Sequence, residues 1–120
     1  MKLKYVSLDL ETSGLNPRTD QILELAAVIE TNWVTPVAEL PTLHLLVLPE
    51  DGRIEGNVQA LVMNAGLLAE FTKPASLRMA PTAFPEEAWN RLRDFLTVNL
   101  VLPCTVAGKN VASFDLLFLE

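Results

Sequence analysis

The stretch that decides the fold runs from Ser7 to Leu15 and reads SLDLETSGL. Its first half closes an apolar run at 3–10 that predicts a β-strand. Because side chains alternate along a strand, Asp9 and Glu11 leave the same face, about 6.6 Å apart along the backbone. Two carboxylates on one face repel each other unless a cation neutralises them. This spacing therefore suits shared binding of divalent metal ions.

A cluster of turn formers follows the two acids and separates the first strand from a second apolar run at 22–30. Within it, Gly14 permits close approach of the backbone to a ligand. A third strand is predicted at 42–48, where Pro49 ends it. Short connections between these three strands favour an antiparallel meander.

Helical periodicity begins after the third strand. Apolar residues recur at helical spacing in 57–71, which predicts one or two short helices interrupted at Gly66. A clearer amphipathic helix is predicted at 86–100, with one apolar face formed by Trp89, Leu92, Phe95, Leu96 and Leu100. A short strand at 105–107 and a new helix from about Ser113 follow. This order predicts one α/β domain over residues 1–120, with a mixed sheet and flanking helices.

Composition sets limits on function. Half of the 120 residues are hydrophobic, which excludes a disordered chain. The formal net charge of −6 argues against binding nucleic acid through bulk positive charge, so phosphate chemistry would need metal ions, although acidity alone can serve solubility. Cys104 is the only cysteine, which excludes an internal disulfide, and we expect it to be a buried thiol. No stretch is apolar enough to span a bilayer, so a soluble cytoplasmic protein without membrane contact is expected.

A second motif occupies residues 106–119 and reads VAGKNVASFDLLFL. Asp115 falls in the first turn of a predicted helix that Ser113 could cap, where the helix dipole favours an ionised carboxylate. Taken separately, Asp115 could be an ordinary helix acid, and the acids at 9 and 11 could be solvated. Together and in this order, the two motifs resemble the DEDD (DnaQ-like) superfamily of 3'–5' exonucleases.

The resemblance implies a ribonuclease-H-like fold and hydrolysis of phosphodiester bonds from the 3' end of single-stranded DNA or short RNA, with release of nucleoside 5'-monophosphates. It implies two divalent ions, Mg²⁺ or Mn²⁺, held by the acids at 9, 11 and 115. Further substrate-binding positions implied by the family are Thr12, Gly14, Leu15, Met63, Asn64 and Asn110. Association with a polymerase or with a second copy stays open.

The family's third motif, which carries a fourth acid and a histidine or tyrosine, has no counterpart in the sequence. We therefore expect a domain that is incomplete at its C-terminus, lacks its last strand and helix, and is inactive or weak as it stands. His44 is the only histidine, and its position does not fit that motif, so it is predicted to be a plain strand residue. Glu24 fits either a second-strand acid near the metal site or a surface glutamate.

Two rival functions compete with this interpretation. Asp9 and Thr12 match part of the Asp-x-Asp-x-Thr signature of aspartyl-phosphate phosphatases, but Glu11 replaces the second aspartate. Such an enzyme would form a phosphoenzyme, whereas hydrolysis by metal-bound water forms none. The other rival is a non-catalytic nucleic-acid-binding or assembly module that retains the exonuclease fold.

Overall fold

The computed structural model describes residues 4–99 and 106–108. The strands within these ranges are β1 (Lys4–Thr12), β2 (Ile22–Thr31), β3 (Thr42–Val47), β4 (Thr82–Ala83) and β5 (Val106–Ala107). The helices are α1 (Val58–Met63), α2 (Ala65–Glu70) and α3 (Pro85–Asn99), with single 3₁₀ turns at Val37–Glu39 and Ala75–Leu77. The predicted helix from Ser113 and the predicted buried thiol of Cys104 lie outside the described residues.

The strands of the described chain form one mixed sheet in the order β4-β3-β2-β1-β5. The first three strands are antiparallel to one another, as predicted. The two outer strands run parallel to their neighbours, β4 beside β3 and β5 beside β1. The predicted mixed sheet with flanking helices is therefore confirmed. β1, which carries both acids, lies inside the sheet between β2 and β5.

The larger core lies between one face of the sheet and α3. Alternate residues of β1 point into it, namely Val6, Leu8 and Leu10. From α3, Ala88 and Leu92 complete it, because residues four apart share one side of a helix. The prediction that Trp89 belongs to this apolar face is only partly right, since 45% of the residue is exposed. Ala88 takes the central position, and Trp89 lies at the edge of the buried stripe.

A smaller core lies on the other face, where Leu23, Leu46, Leu67 and Ala80 are buried together. The region predicted as one or two short helices forms two, and α1 and α2 meet at Asn64 rather than at the predicted break, Gly66. Asn57 begins α1, since its side-chain oxygen accepts hydrogen bonds from the backbone N–H groups of Gln59 and Ala60.

Two local features differ from the pattern in the sequence. Ile22 pairs with Thr12 and Glu24 with Glu11, so Leu23 is an extra residue that forms a β-bulge. The bulge turns Leu23 into the smaller core, while Leu25 points into the larger one. β4 was not predicted, because its two residues lie between prolines in a stretch that reads as a connection.

Candidate functional site

Asp9 and Glu11 share one face of β1, as the strand alternation predicts. This face is the one opposite α3. Along β1 their apolar neighbours point into the larger core, whereas Asp9 is exposed and Glu11 is half-buried. Across the sheet, Asp9 lies opposite Ala26, and Glu11 lies opposite Glu24. Directly opposed residues in an antiparallel pair share a face, so three carboxylates lie on the same face of two neighbouring strands.

A histidine on the third strand completes this polar row. His44 lies opposite Ala26 on β3, and its Nε2 donates a hydrogen bond of 2.6 Å to the carboxylate oxygen Oε2 of Glu24. Both side chains are partly buried, with 21% of the Glu24 side chain and 37% of the His44 side chain exposed. His44 is thus a strand residue, as predicted, but it is also the partner of the second-strand acid.

The turn that follows the acids is fixed by Ser13, which is completely buried. Its hydroxyl donates to the carbonyl of Glu55 at 2.7 Å and accepts from the backbone N–H of Gln21 at 2.8 Å. Its backbone carbonyl accepts from the N–H of Asn57 at 2.7 Å. These bonds attach the end of β1 both to the start of β2 and to the segment that leads into α1.

The junction of α1 and α2 is attached to the same turn. The side-chain amide of Asn64 donates to the carbonyl of Thr12 at 3.1 Å and to the carbonyl of Ala60 at 3.1 Å. Thr12 is itself buried, and its hydroxyl donates to the carbonyl of Gly14 at 2.6 Å. Two of the family-implied substrate positions, Thr12 and Asn64, therefore meet in space.

Apolar side chains stand exposed beside this polar turn. Leu15 is 79% exposed and Met63 is 78% exposed. Val58 and Val62 of α1 are exposed as well. An exposed apolar surface near backbone polar groups suits contact with a nucleotide base, and substrate roles for Leu15 and Met63 stay predictions.

Gly14 has a structural explanation in its neighbour Asp20. A Cβ atom built on Gly14 would lie 2.1 Å from the Oδ2 of Asp20, so a larger residue fits only if this carboxylate moves away. The same Oδ2 accepts a hydrogen bond of 3.0 Å from the backbone N–H of Asn16. The group that closely approaches the Gly14 backbone is thus the Asp20 carboxylate, and a substrate role for Gly14 stays a prediction.

Metal binding can be judged from the donors that the described ranges supply. Asp9 and Glu11 offer hard carboxylate oxygens, the ligands that Mg²⁺ and Mn²⁺ prefer. Within those ranges, no group of three His, Cys, Asp or Glu side chains is placed to hold a metal ion. Asp115 and Asn110, predicted to act as metal ligand and substrate contact, lie outside the described residues. The pair on β1 thus fits as part of a site.

An apolar cavity of about 590 Å³ opens elsewhere, beside the first turn of α3. Its walls include Ile22, Leu25, Val47, Ala88 and Trp89. Four of these residues, all but Trp89, belong to or pack against the larger core, which lies on the opposite face of the sheet from the acids. The cavity therefore opens on the other face of the sheet from the acids, although Asp20 and Gln21 of the β1–β2 turn also line it.

Sequence reasoning did not single out Ser13, Gln21 or the pairing of Glu24 with His44. Gln21 bonds to the segment before α1 at both ends of its side-chain amide, accepting from Glu55 N–H and donating to the carbonyl of Arg53, each at 3.2 Å. Serine and glutamine in a turn carry no distinguishing pattern. The usable signal for the missed pair was the position of Glu24 and His44 on neighbouring strands, because alternation places both side chains on one face of the sheet once the strand register is known.

Solved structures of exonuclease I have the same fold. The zinc-bound complex of E. coli exonuclease I with ssDNA gives a TM-score of 0.67 at 18% identity, covering 99% of this chain and 23% of that chain. Exonuclease I from Methylocaldum szegediense gives 0.67 at 21% identity, covering 97% of this chain and 22% of that chain. E. coli exonuclease I in complex with a dT13 oligonucleotide gives a TM-score of 0.67 at 17% sequence identity, and the match covers 98% of this chain and 22% of that chain.

No family model and no curated protein matches the chain. The chain spans less than a quarter of the length of these exonuclease I structures. Among the described residues, no helix has the length and apolar character needed to cross a membrane. At such identities the likeness establishes the architecture alone, and the chain has the ribonuclease-H-like mixed sheet with flanking helices.

Proposed function

We propose that the chain carries part of the active site of a metal-dependent 3'–5' exonuclease of the DEDD class. The observation that carries the proposal is the placement of Asp9 and Glu11 on one face of an internal strand, directly before a turn held by Ser13. The fold shared with exonuclease I supports it, since E. coli exonuclease I has been seen with ssDNA and with dT13.

Asp9 and Glu11 would hold divalent ions together with Asp115. Bound metal supplies positive charge against the phosphate and activates a water for phosphodiester hydrolysis. This import of positive charge matters, because the chain itself has a formal net charge of −6. Carboxylates kept partly open to solvent can exchange ions and admit a phosphate, as the exposure of Asp9 allows.

The turn and α1 would receive the 3'-terminal nucleotide of single-stranded DNA or short RNA. Leu15 and Met63 offer exposed apolar surface for a base. Asn64 and Ser13 hold the turn rigid by hydrogen bonds to backbone groups. The chain would thereby present the acids beside a fixed turn with exposed apolar side chains. Cytoplasmic location and association with a polymerase or a second copy belong to the same proposal.

We expect hydrolysis by these 120 residues to be slow. A general base is typically worth about 10² to 10⁴ in rate. The chain's only histidine, His44, is bonded to Glu24, and its only tyrosine, Tyr5, precedes the acids on β1. Metal and substrate binding are therefore the more sensitive measurements.

The metal site is tested by calorimetric titration of Mn²⁺ into the wild type and Asp9→Asn. The variant should bind at least about tenfold more weakly, because it loses one of the negatively charged oxygen ligands that set the affinity. Asp94→Asn on the exposed side of α3 is the matched control and should bind as the wild type does. Equal isotherms for the wild type and Asp9→Asn would exclude this site.

The substrate is tested by fluorescence anisotropy with oligonucleotides that carry a free or a blocked 3' end. We expect the free end to bind more tightly, and Leu15→Ala to remove most of that preference, because the apolar contact beside the turn is lost. Val37→Ala, at an exposed apolar position in the β2–β3 connection, is the control. Equal binding of both oligonucleotides without metal dependence would favour the non-catalytic module.

A further inference from the structure

The Glu24–His44 pair has no role in the proposed reaction, although it lies on the same face as the acids. In the sheet order β3-β2-β1, Glu24 occupies the middle strand. Glu11 faces it from β1, and His44 bonds to it from β3. The Glu24 carboxylate could therefore point toward Glu11 on β1 or toward His44 on β3. The hydrogen bond from His44 shows that this carboxylate points toward β3.

Without the hydrogen bond from His44, the carboxylates of Glu11 and Glu24 would face each other across the two strands. Directly opposed residues of an antiparallel pair have Cβ atoms about 4.5–5.5 Å apart, and like charges in such positions are destabilising. A swing of Glu24 toward β1 would bring a third carboxylate to Asp9 and Glu11. The bond of 2.6 Å from His44 opposes that swing, because an ionised carboxylate accepts strongly from an N–H donor.

The residue in the neighbouring row of the sheet does not compete with His44 for the Glu24 carboxylate. Ala26 lies between Asp9 and His44 in the adjacent row of the sheet. Its methyl group offers no polar atom, so Ala26 cannot itself hold the Glu24 carboxylate. The restraint on Glu24 that is visible in the described residues is the one from His44.

We propose that His44 is a positioning residue that keeps the Glu24 carboxylate on the β3 side of the face and out of the metal site of Asp9 and Glu11. The inference rests on the proposed function for its link to metal. It assigns the chain's only histidine a role other than general base. Glu24 is then a restrained acid rather than a metal ligand.

Removal of the hydrogen bond from His44 should change the Mn²⁺ affinity in a predictable direction. In His44→Ala, Glu24 can turn toward β1 and add a carboxylate to the site, and more ligand charge tightens binding of a hard cation. We expect Mn²⁺ affinity to rise about three- to tenfold on this ground. A purely structural role for His44 predicts the opposite, because a disturbed site binds metal less well.

The experiment is calorimetric Mn²⁺ titration of the 120-residue chain and four variants at one neutral pH. Glu24→Gln alone should bind as the wild type does, and His44→Ala with Glu24→Gln should return to that affinity. His44→Gln retains an N–H donor and should also match the wild type. Tighter binding confined to His44→Ala supports the proposal, whereas unchanged or weaker binding in a folded His44→Ala overturns it.

A metal-free measurement separates this inference from the proposed function. In EDTA, Glu11→Gln should raise the urea midpoint more in the His44→Ala background than in the wild type, because freed Glu24 then repels Glu11. Equal shifts in both backgrounds overturn the positioning role. If the wild type binds no Mn²⁺ at Asp9, the proposed function fails, and the urea measurement still decides whether His44 restrains Glu24.

Should His44→Ala fail to fold, Glu24→Gln decides the question. A positioning role predicts wild-type affinity for Glu24→Gln, since Glu24 stays outside the site while His44 holds it. Loss of Mn²⁺ binding in Glu24→Gln would make Glu24 a ligand and overturn the proposal.

Discussion

Two irregular segments of the molecule are each fixed by one buried polar residue, and the two residues differ in charge. Ser13 anchors the turn between β1 and β2 through a neutral hydroxyl. Glu70 anchors the segment between α2 and β4 through a carboxylate that accepts from the ammonium of Lys73 and from the backbone N–H of Met79. Among the described residues, buried polar side chains are confined to these two and Thr12.

The difference follows from the neighbours of each anchor. Ser13 follows Asp9 and Glu11 on the same chain segment, where a carboxylate at this buried position would add repulsion and compete for the proposed metal ions. Glu70 has cationic partners instead, since Lys73 bonds to it and the guanidinium of Arg78 binds backbone carbonyls of the same segment. A neutral anchor thus suits the turn that follows the two acids, and a charged anchor suits a segment that supplies its own cations.

The largest effect is expected at the Ser13 turn from Gly56→Ala. A Cβ atom on Gly56 would lie 2.0 Å from the carbonyl oxygen of Ser13, so the backbone of one segment must move. We expect a loss of about 1–3 kcal/mol or more in the free energy of unfolding, measured by urea denaturation. Gly66→Ala is the control, because its Cβ meets no atom within 4 Å and should stabilise α2 by about 0.5–1 kcal/mol. Similar effects of the two variants would show that the turn is not closely packed.

A second variant removes the neutral anchor itself. Ser13→Ala leaves the N–H of Gln21 and the carbonyl of Glu55, which are partly buried at this contact, without their hydroxyl partner, and this should cost about 1–3 kcal/mol. Ser76→Ala, the same substitution at an exposed position, should change stability by less than about 0.5 kcal/mol. Since the turn directly follows the acids of β1, Ser13→Ala should also weaken Mn²⁺ binding at the proposed site. Unchanged metal affinity in a folded Ser13→Ala would separate the turn from the site.

The charged anchor should differ from the neutral one in its pH dependence. The hydrogen bond from Lys73, then that from Met79 N–H, lowers the pKa of Glu70, with the Lys73 and Arg78 charges acting in the same direction against the effect of burial. A folded pKa below the unfolded one stabilises the protein above the ordinary glutamate pKa of about 4.3, and the contribution is lost as the pH falls through the lowered value.

Glu70→Gln should therefore be less stable than the wild type at neutral pH, with a difference that shrinks as the pH falls below about 4.3. Half of the Lys73 side chain is exposed, so solvent screens the pair and the effect should be the smallest of the three. Urea midpoints measured across the acid range provide the test. Lys73→Met should show the same pH trend and should not add to Glu70→Gln. A constant difference across pH would refute the charged anchor, and Ser13→Ala should show no such trend.

The strand predictions succeeded because alternation along a strand is a local property. β1, β2 and β3 appear within two residues of the predicted bounds, and the shared face of Asp9 and Glu11 follows from their spacing alone. The amphipathic pattern of α3 was equally local, with the predicted helix at 86–100 found at Pro85–Asn99. The edge position of Trp89 was not visible in the pattern, because only packing decides which part of an apolar stripe is covered.

The sequence by itself determined the identity and face of the two acids on β1, the meander and the helical segments, since each depends on contacts between residues close in the chain. Tertiary structure decided the rest of the site. The bulge at Leu23 sets the register that places Glu24 opposite Glu11. Strand pairing brings His44 to Glu24 from 20 residues away, and side-chain packing joins Asn64 to Thr12 across 52 residues. Such contacts depend on register and on the closure of distant segments, which local composition does not encode.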